Sequence, residues 1–408
     1  MPSVGNMRIL IAGVLVLAAG CSSDNVTVPR TGTSPTALDA PLKVLGMGSE
    51  TARYTAEIAV KGSTAYTTTW GSRPTLGNKV DIWDVSGATP ILTDSLIVAG
   101  ASTLGDVQVS DDSTLLMVAT ERTGGAIVLY DISNPRKPVQ VARYSTANTN
   151  PGVHTAKFGR VNGKLYGFLS IDPLNLTPAR LVIVDLSDPA NPREIFTRVI
   201  GNPYVHDTFI RDGILFLALW NDGLDIWDIG GGGQGGTPDN PKVLGNVRTV
   251  GGEVHNVWWF HDAQGGKRFA FVGEEGPGSI GSSSIGDIHV VDVSSFASPK
   301  EIGFYHVDGA GTHNFSIDEK NAVLYAAYYN GGVRAIDVHG DLSSCPGASN
   351  FNVQANITRC DLKAMGRELA VGLLEQNRGV YVWGVEWTGG NVYASDMVNG
   401  IWKMTPAK

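Results

Sequence analysis

From Val205 to Ile229 the chain reads VHDTFIRDGILFLALWNDGLDIWDI. Asp212-Gly213 and Asn221-Asp222-Gly223 cut this stretch into three apolar runs. The runs are rich in β-branched and aromatic residues, and the breaks carry turn residues. The reading is three antiparallel strands: A at His206–Arg211, B at Ile214–Trp220 and C at Leu224–Ile229. A Gly-rich connection, residues 230–236, leads to a fourth, D, at Lys242–Val250.

The opening phrase recurs as Val153-His154-Thr155, Val254-His255-Asn256 and Thr312-His313-Asn314. The strand C phrase recurs as Val80–Val85, Leu181–Leu186 and Ile288–Val293. A period of about 50 residues with four strand signals per period means a β-propeller. Registered on the residue after the His position, the units fall at Glu57, Asp106, Thr155, Asp207, Asn256, Asn314 and Gly384, which makes seven. The chain ends just after strand C of the last unit. An orphan segment, Pro41–Gly46, nearly copies the strand D segment Pro241–Gly245. It is expected to complete the last blade and so close the ring, leaving no unpaired seam. The Asp ending most C strands (Asp84, Asp131, Asp185, Asp228, Asp292, Asp337) is read as structural, accepting N–H bonds from the turn that follows.

The run Leu181-Val182-Ile183-Val184-Asp185, followed by Asp188-Pro189-Ala190-Asn191-Pro192, resembles the LVIVD-repeat family of bacterial surface propellers, of the choice-of-anchor type. The resemblance spans nearly all of residues 41–404. It implies a propeller fold and an envelope location, and no common activity. Units two and seven depart from it by lacking the His.

Residues 1–20 read as a lipoprotein signal peptide. Arg8 precedes the apolar run Ile9–Ala19, too short for a mature span, and Leu17-Ala18-Ala19-Gly20-Cys21 resembles a bacterial lipobox. Met7 serves as well as Met1 for the start. The expectation is lipidation at Cys21, a membrane partner through that lipid, and a flexible tether over residues 21–39 rich in Ser, Thr and Pro. The propeller would occupy residues 40–408, on the periplasmic side or at the cell surface. The two remaining cysteines, Cys345 and Cys360, are expected to form a disulfide in that oxidising setting. They sit in an insertion, residues 340–378. There Leu362, Met365, Leu369, Leu373 and Leu374 suggest a short amphipathic helix over Asp361–Gln376. The net charge of −8 and the lack of a basic cluster argue against nucleic acid.

Strand A starts and B–C loops share one face of a propeller, around the channel mouth. A binding surface is therefore expected from Trp70, Asp106, Asp207, Trp220, Asn256, Glu275, Asn314 and Tyr329, contacting an envelope or extracellular protein, peptide or glycan. No catalytic motif is present: there is no Gly-x-Ser-x-Gly elbow, Walker loop or His-Glu-x-x-His. A scaffold is thus favoured over an enzyme. His154, His206, His255 and His313 recur once per blade, which favours hydrogen bonding within or between blades. The alternative is a transition-metal site, copper, zinc or iron, that would make the protein a metal-dependent enzyme.

Overall fold

The computed structural model describes residues 42–71, 75–345, 349–352, 357–374 and 379–407. The expected signal peptide, Cys21 and the tether lie outside these residues. Seven antiparallel sheets, each pairing its strands in the order A-B-C-D, form the seven blades of an all-β propeller. Blade four shows the rule, with strands Asp207–Arg211, Ile214–Ala218, Leu224–Asp228 and Lys242–Val247. Blade seven is completed from the other end of the chain. Its D strand is Val44–Ser49, paired with Gly400–Met404. The closure expected from the orphan segment is therefore present, displaced a few residues along the chain.

The core lies between blades, as expected for stacked repeats. Val161, Tyr166 and Phe168 of blade three pack on Leu215, Leu217 and Trp227 of blade four. Ala59, Tyr66 and Ile82 of blade one pack on Val107, Leu116 and Val128 of blade two. The strand C tryptophans Trp83, Trp227 and Trp402 are all buried in such seams.

The C-strand aspartates take the turn role. Asp84, Asp131, Asp185 and Asp292 each accept the backbone N–H two residues on, and Asp337 does the same for His339. Asp228 goes further. Its Oδ1 accepts from the N–H groups of Gly230 and Gly232, and its Oδ2 from those of Gln234 and Gly236. The Gly-rich connection is therefore not a loose linker. It wraps its own carboxylate, and the positive φ of Gly230, Gly233 and Gly235 is what lets it turn so tightly.

The insertion departs from expectation. Among the described residues it contains no helix. Ile357–Asp361 runs parallel to Lys300–Tyr305 and extends the sheet of blade five, and Ser349–Asn352 pairs with it in turn. Glu368–Gly372 is strand D of blade six. Leu362 and Leu369 share a spacing that suits a helix, but a turn at residues 362–366 lies between them. The unmet edge of strand C claims the second run. The expected disulfide, Cys345–Cys360, is formed.

Candidate functional site: the histidine-lined mouth

Five of the seven inner strands enter the mouth with a local irregularity. The pairing of strands A and B shifts register between Thr55 and Ile58, Leu104 and Val107, Val153 and Thr155, Val254 and Asn256, and Val382 and Gly384. The His position lies in or beside these bulges. A bulge re-aims the side chain it carries, and here it turns His154 and His255 toward the axis. In blades four and six, strand A begins after the histidine. There the N–H groups of His206 and His313 each donate 2.8 Å bonds to strand B, at Ala218 and Ala327.

The four rings form a continuous row. Their centroids are 4.2 Å apart for His154–His206, 4.1 Å for His206–His255 and 4.1 Å for His255–His313. Trp383 continues the row, 4.3 Å from His313. Two of the three blades without a histidine are thereby explained. A Cβ at Gly105, were it present, would stand 2.1 Å from the His154 carbonyl oxygen and 2.6 Å from Oε1 of Glu121. Blade two gives up its histidine to make room for Glu121, and blade seven replaces it with a stacking tryptophan.

Three carboxylates flank the row. Glu275 puts Oε2 3.5 Å from Nε2 of His206 and 3.7 Å from Nε2 of His255, while its Oε1 is 3.9 Å from Nε2 of His313. Tyr329 Oη donates to that Oε1. At the other end, Nδ1 of His154 is 3.4 Å from Glu121 and 3.6 Å from Asp172. Nε2 of His154 lies 2.8 Å from Nε2 of His206.

Charge divides the row. Burial disfavours a proton on His154, but Asp172 and Glu121 outweigh it and raise its pKa to about 10. Burial, reinforced by the neighbouring imidazoles, holds His206, His255 and His313 well below their ordinary range. Burial lifts Glu275 and Glu121 to about 7. His154 is thus an imidazolium between carboxylates, followed by three neutral imidazoles. Neutral rings leave lone pairs available.

Below the row lies a second polar layer. Lys157 Nζ is 3.0 Å from Asp106 and 3.6 Å from Asp207. The amide of Asn314 donates to Glu57. Burial raises Asp207 to about 6 against the pull of Lys157, and burial with the nearby Asp106 pushes Glu57 well above the carboxylate range.

The expected binding residues are brought together, but in different roles. Asp106, Asp207, Asn256 and Glu275 are buried, as is Tyr329 at 0% exposure. Trp70 is half-buried, with its indole N–H 3.3 Å from Glu121. Trp220 stacks on His206 at 5.3 Å. Trp220 and Tyr329 back the histidines, and Trp70 packs against Trp383. Trp220 and Tyr329 hold left-handed backbone (φ 53° and 40°), which turns their rings inward and is uncommon for bulky residues. Three of the histidines hydrogen-bond between blades, His154 with His206 at 2.8 Å and His313 with the Trp383 carbonyl oxygen at 2.6 Å, whereas both ring nitrogens of His255 are buried with no hydrogen-bond partner. Sequence reading missed Lys157 in this setting. Lys157 stands two residues after Thr155, the position aligned with Asp106 and Asp207, so the period-2 alternation of the strand was the available signal.

The sequence matches the LVIVD repeat family over residues 106–146 and 178–198. No curated protein matches it. Among solved structures, that of U3-55K superposes with a TM-score of 0.59 at 10% identity, covering 91% of this chain and all of that one. The WD40 repeats of RRP9 give the same TM-score and identity, covering 91% of this chain and 99% of theirs. At such identity the likeness is one of fold. The chain is a seven-bladed β-propeller that carries LVIVD repeats.

Proposed function

We propose that this protein is a binding propeller, tethered to the bacterial cell envelope through a lipid on Cys21, whose working face is the one around the channel mouth. The observation that carries the reading is the rim. The long B–C loops of blades one, three and five lift apolar side chains into solvent. Leu76 is 57% exposed, Leu176 97% and Ile285 50%. Large aliphatic groups on loops of a rigid scaffold suit contact with another protein or a peptide. A glycan would call for presented aromatic rings, and the aromatics here face inward. The ring-closed fold holds these loops at fixed spacing.

Site-specific photo-crosslinking in cells tests this. A crosslinker at Leu176 or Ile285 is expected to give one discrete protein adduct in the membrane fraction. A crosslinker at Val139, equally exposed on the outer edge of blade two, should give none. Cys21→Ala should move the protein out of the membrane fraction. Identical products from rim and outer edge would refute the working face, and a membrane-bound Cys21→Ala protein would refute the tether.

A further inference from the structure

We propose that the floor of the mouth binds one transition-metal ion of the zinc or copper class, held by His206, His255 and Glu275 with His313 as the adjoining fourth donor. The site stands apart from the partner-binding rim and needs no partner.

The argument begins with His255. It is 2% exposed, and neither of its ring nitrogens has a hydrogen-bond partner. Buried polar atoms are almost always satisfied, so an orphaned imidazole asks for an explanation. Nδ1 of His206 is orphaned too. A cation would satisfy the Nε2 lone pair of His255 and, in place of the 2.8 Å bond from His154, that of His206.

The distances agree. Donors about 2.0–2.2 Å from a tetrahedral ion stand about 3.3–3.6 Å from one another. The 3.5 Å separation from Glu275 Oε2 to Nε2 of His206 matches such an edge, and the 3.7 Å separation to Nε2 of His255 is slightly longer. Both are too long for good hydrogen bonds. One donor atom from each of His206, His255 and Glu275 lies within 4.8 Å of the others.

The supporting contacts are those a metal ligand needs. Nδ1 of His313 is 2.6 Å from the Trp383 carbonyl oxygen. A carbonyl only accepts, so Nδ1 carries the hydrogen and Nε2 presents its lone pair to the site. Tyr329 Oη fixes Glu275 in the same way, and Trp220 holds the plane of His206. A cavity of about 10 Å³ lies against His206, His255 and His313 and is shared with Glu57, Asp106 and Lys157, room for one water-sized sphere and not for an organic ligand. Imidazoles with one carboxylate select zinc, copper and similar ions over magnesium or calcium, which prefer all-oxygen sites.

A larger cleft of about 300 Å³ on blades five and six offers no comparable donor set: its Arg268 is paired with Asp292 and Asp341, and its Glu319 with Arg211.

The test is titration of the chelator-stripped full-length chain, purified without a histidine tag, with Zn²⁺ by calorimetry and with Co²⁺ by visible absorption. One equivalent of Zn²⁺ is expected, with intense tetrahedral Co²⁺ bands. His255→Ala and Glu275→Gln should each weaken Zn²⁺ binding about 100-fold or more. His306→Ala, at an exposed histidine outside the mouth, should leave it within about threefold. To separate loss of a ligand from loss of fold, each variant is melted with and without Zn²⁺. Wild type should gain melting temperature with the ion, while a folded His255→Ala protein should not. Absence of saturable binding to wild type would overturn the proposal. So would binding that survives both His255→Ala and Glu275→Gln, because the ion would then sit elsewhere, as on exposed His306 with Asp287 and Asp308.

Discussion

Asp228 shows how much structure one carboxylate can organise. Four backbone N–H groups from a seven-residue Gly-rich connection point at its two oxygens. Burial alone would raise its pKa, but these donors outweigh burial and hold it at about 2. A carboxyl depressed in the folded state adds stability above its unfolded pKa, near 3.8, and loses it as pH falls toward 2. Asp228→Asn keeps the shape and removes the charge. It is expected to lower unfolding free energy at pH 7 by about 1–2 kcal/mol, allowing for solvent screening. Urea titrations of both proteins should show a gap that is constant from pH 7 to about 4 and closes between 4 and 2. A gap that widens with acid would refute the account. The role of this residue was legible in the sequence, since an Asp at the end of strand C recurs blade after blade. The wrapped loop was not, because a Gly-rich run is compatible with any path until its acceptor is known.

At the scale of elements, alternation and turn residues were enough to place four strands per blade, and the copied segment near residue 41 was enough to place the closing strand. The insertion was misread, and the cause is general. Leu362, Met365, Leu369 and Leu373 have helical spacing in the sequence, yet an open edge beside strand C of blade six offers hydrogen bonds that local periodicity cannot weigh. The second surprise is the added pair of strands outside blade five. Arg359, next to Cys360, donates to Glu301, which also takes His289 and the Val250 N–H. The Cys345–Cys360 bridge pins that strand in place across a separation of 15 residues. In the chain-entropy account such a loop contributes about 3 kcal/mol. Replacing both cysteines by Ala should therefore lower the melting temperature while leaving Zn²⁺ affinity unchanged, because the bridge lies on the outer side of blade five and the histidines lie at its inner end. If calorimetry showed the two properties falling together, the insertion would have to support the mouth directly.

For the molecule as a whole, the mouth exists only while the ring is closed. The histidines come from blades three to six, the supporting Trp383 from blade seven and Glu57 from blade one, so one site draws on both sides of the seam. The convergence of four histidines could be suspected from their common register. Their spacing could not, because bulges, inward rotamers and the carboxylates of the B–C loops set it. The closing strand is held tightly. A Cβ on Gly48 would stand 2.6 Å from the Trp83 ring and 2.9 Å from the Pro90 carbonyl oxygen, and both belong to blade one. Gly48→Val therefore forces the seam apart. Overpacking of this kind costs about 1–3 kcal/mol. In an open solenoid, neighbouring repeats can melt separately. A closed ring loses its first seam at the cost of every other, so the variant should unfold in one transition at lower denaturant. Tryptophan fluorescence, dominated by buried rings such as Trp83, Trp227 and Trp402, and far-ultraviolet circular dichroism should give the same midpoint. If the seam opened first, fluorescence would change early while the sheets survived. Zn²⁺ affinity would then fall in a protein that still looks folded, and the ring would have to be regarded as a chain of independent blades.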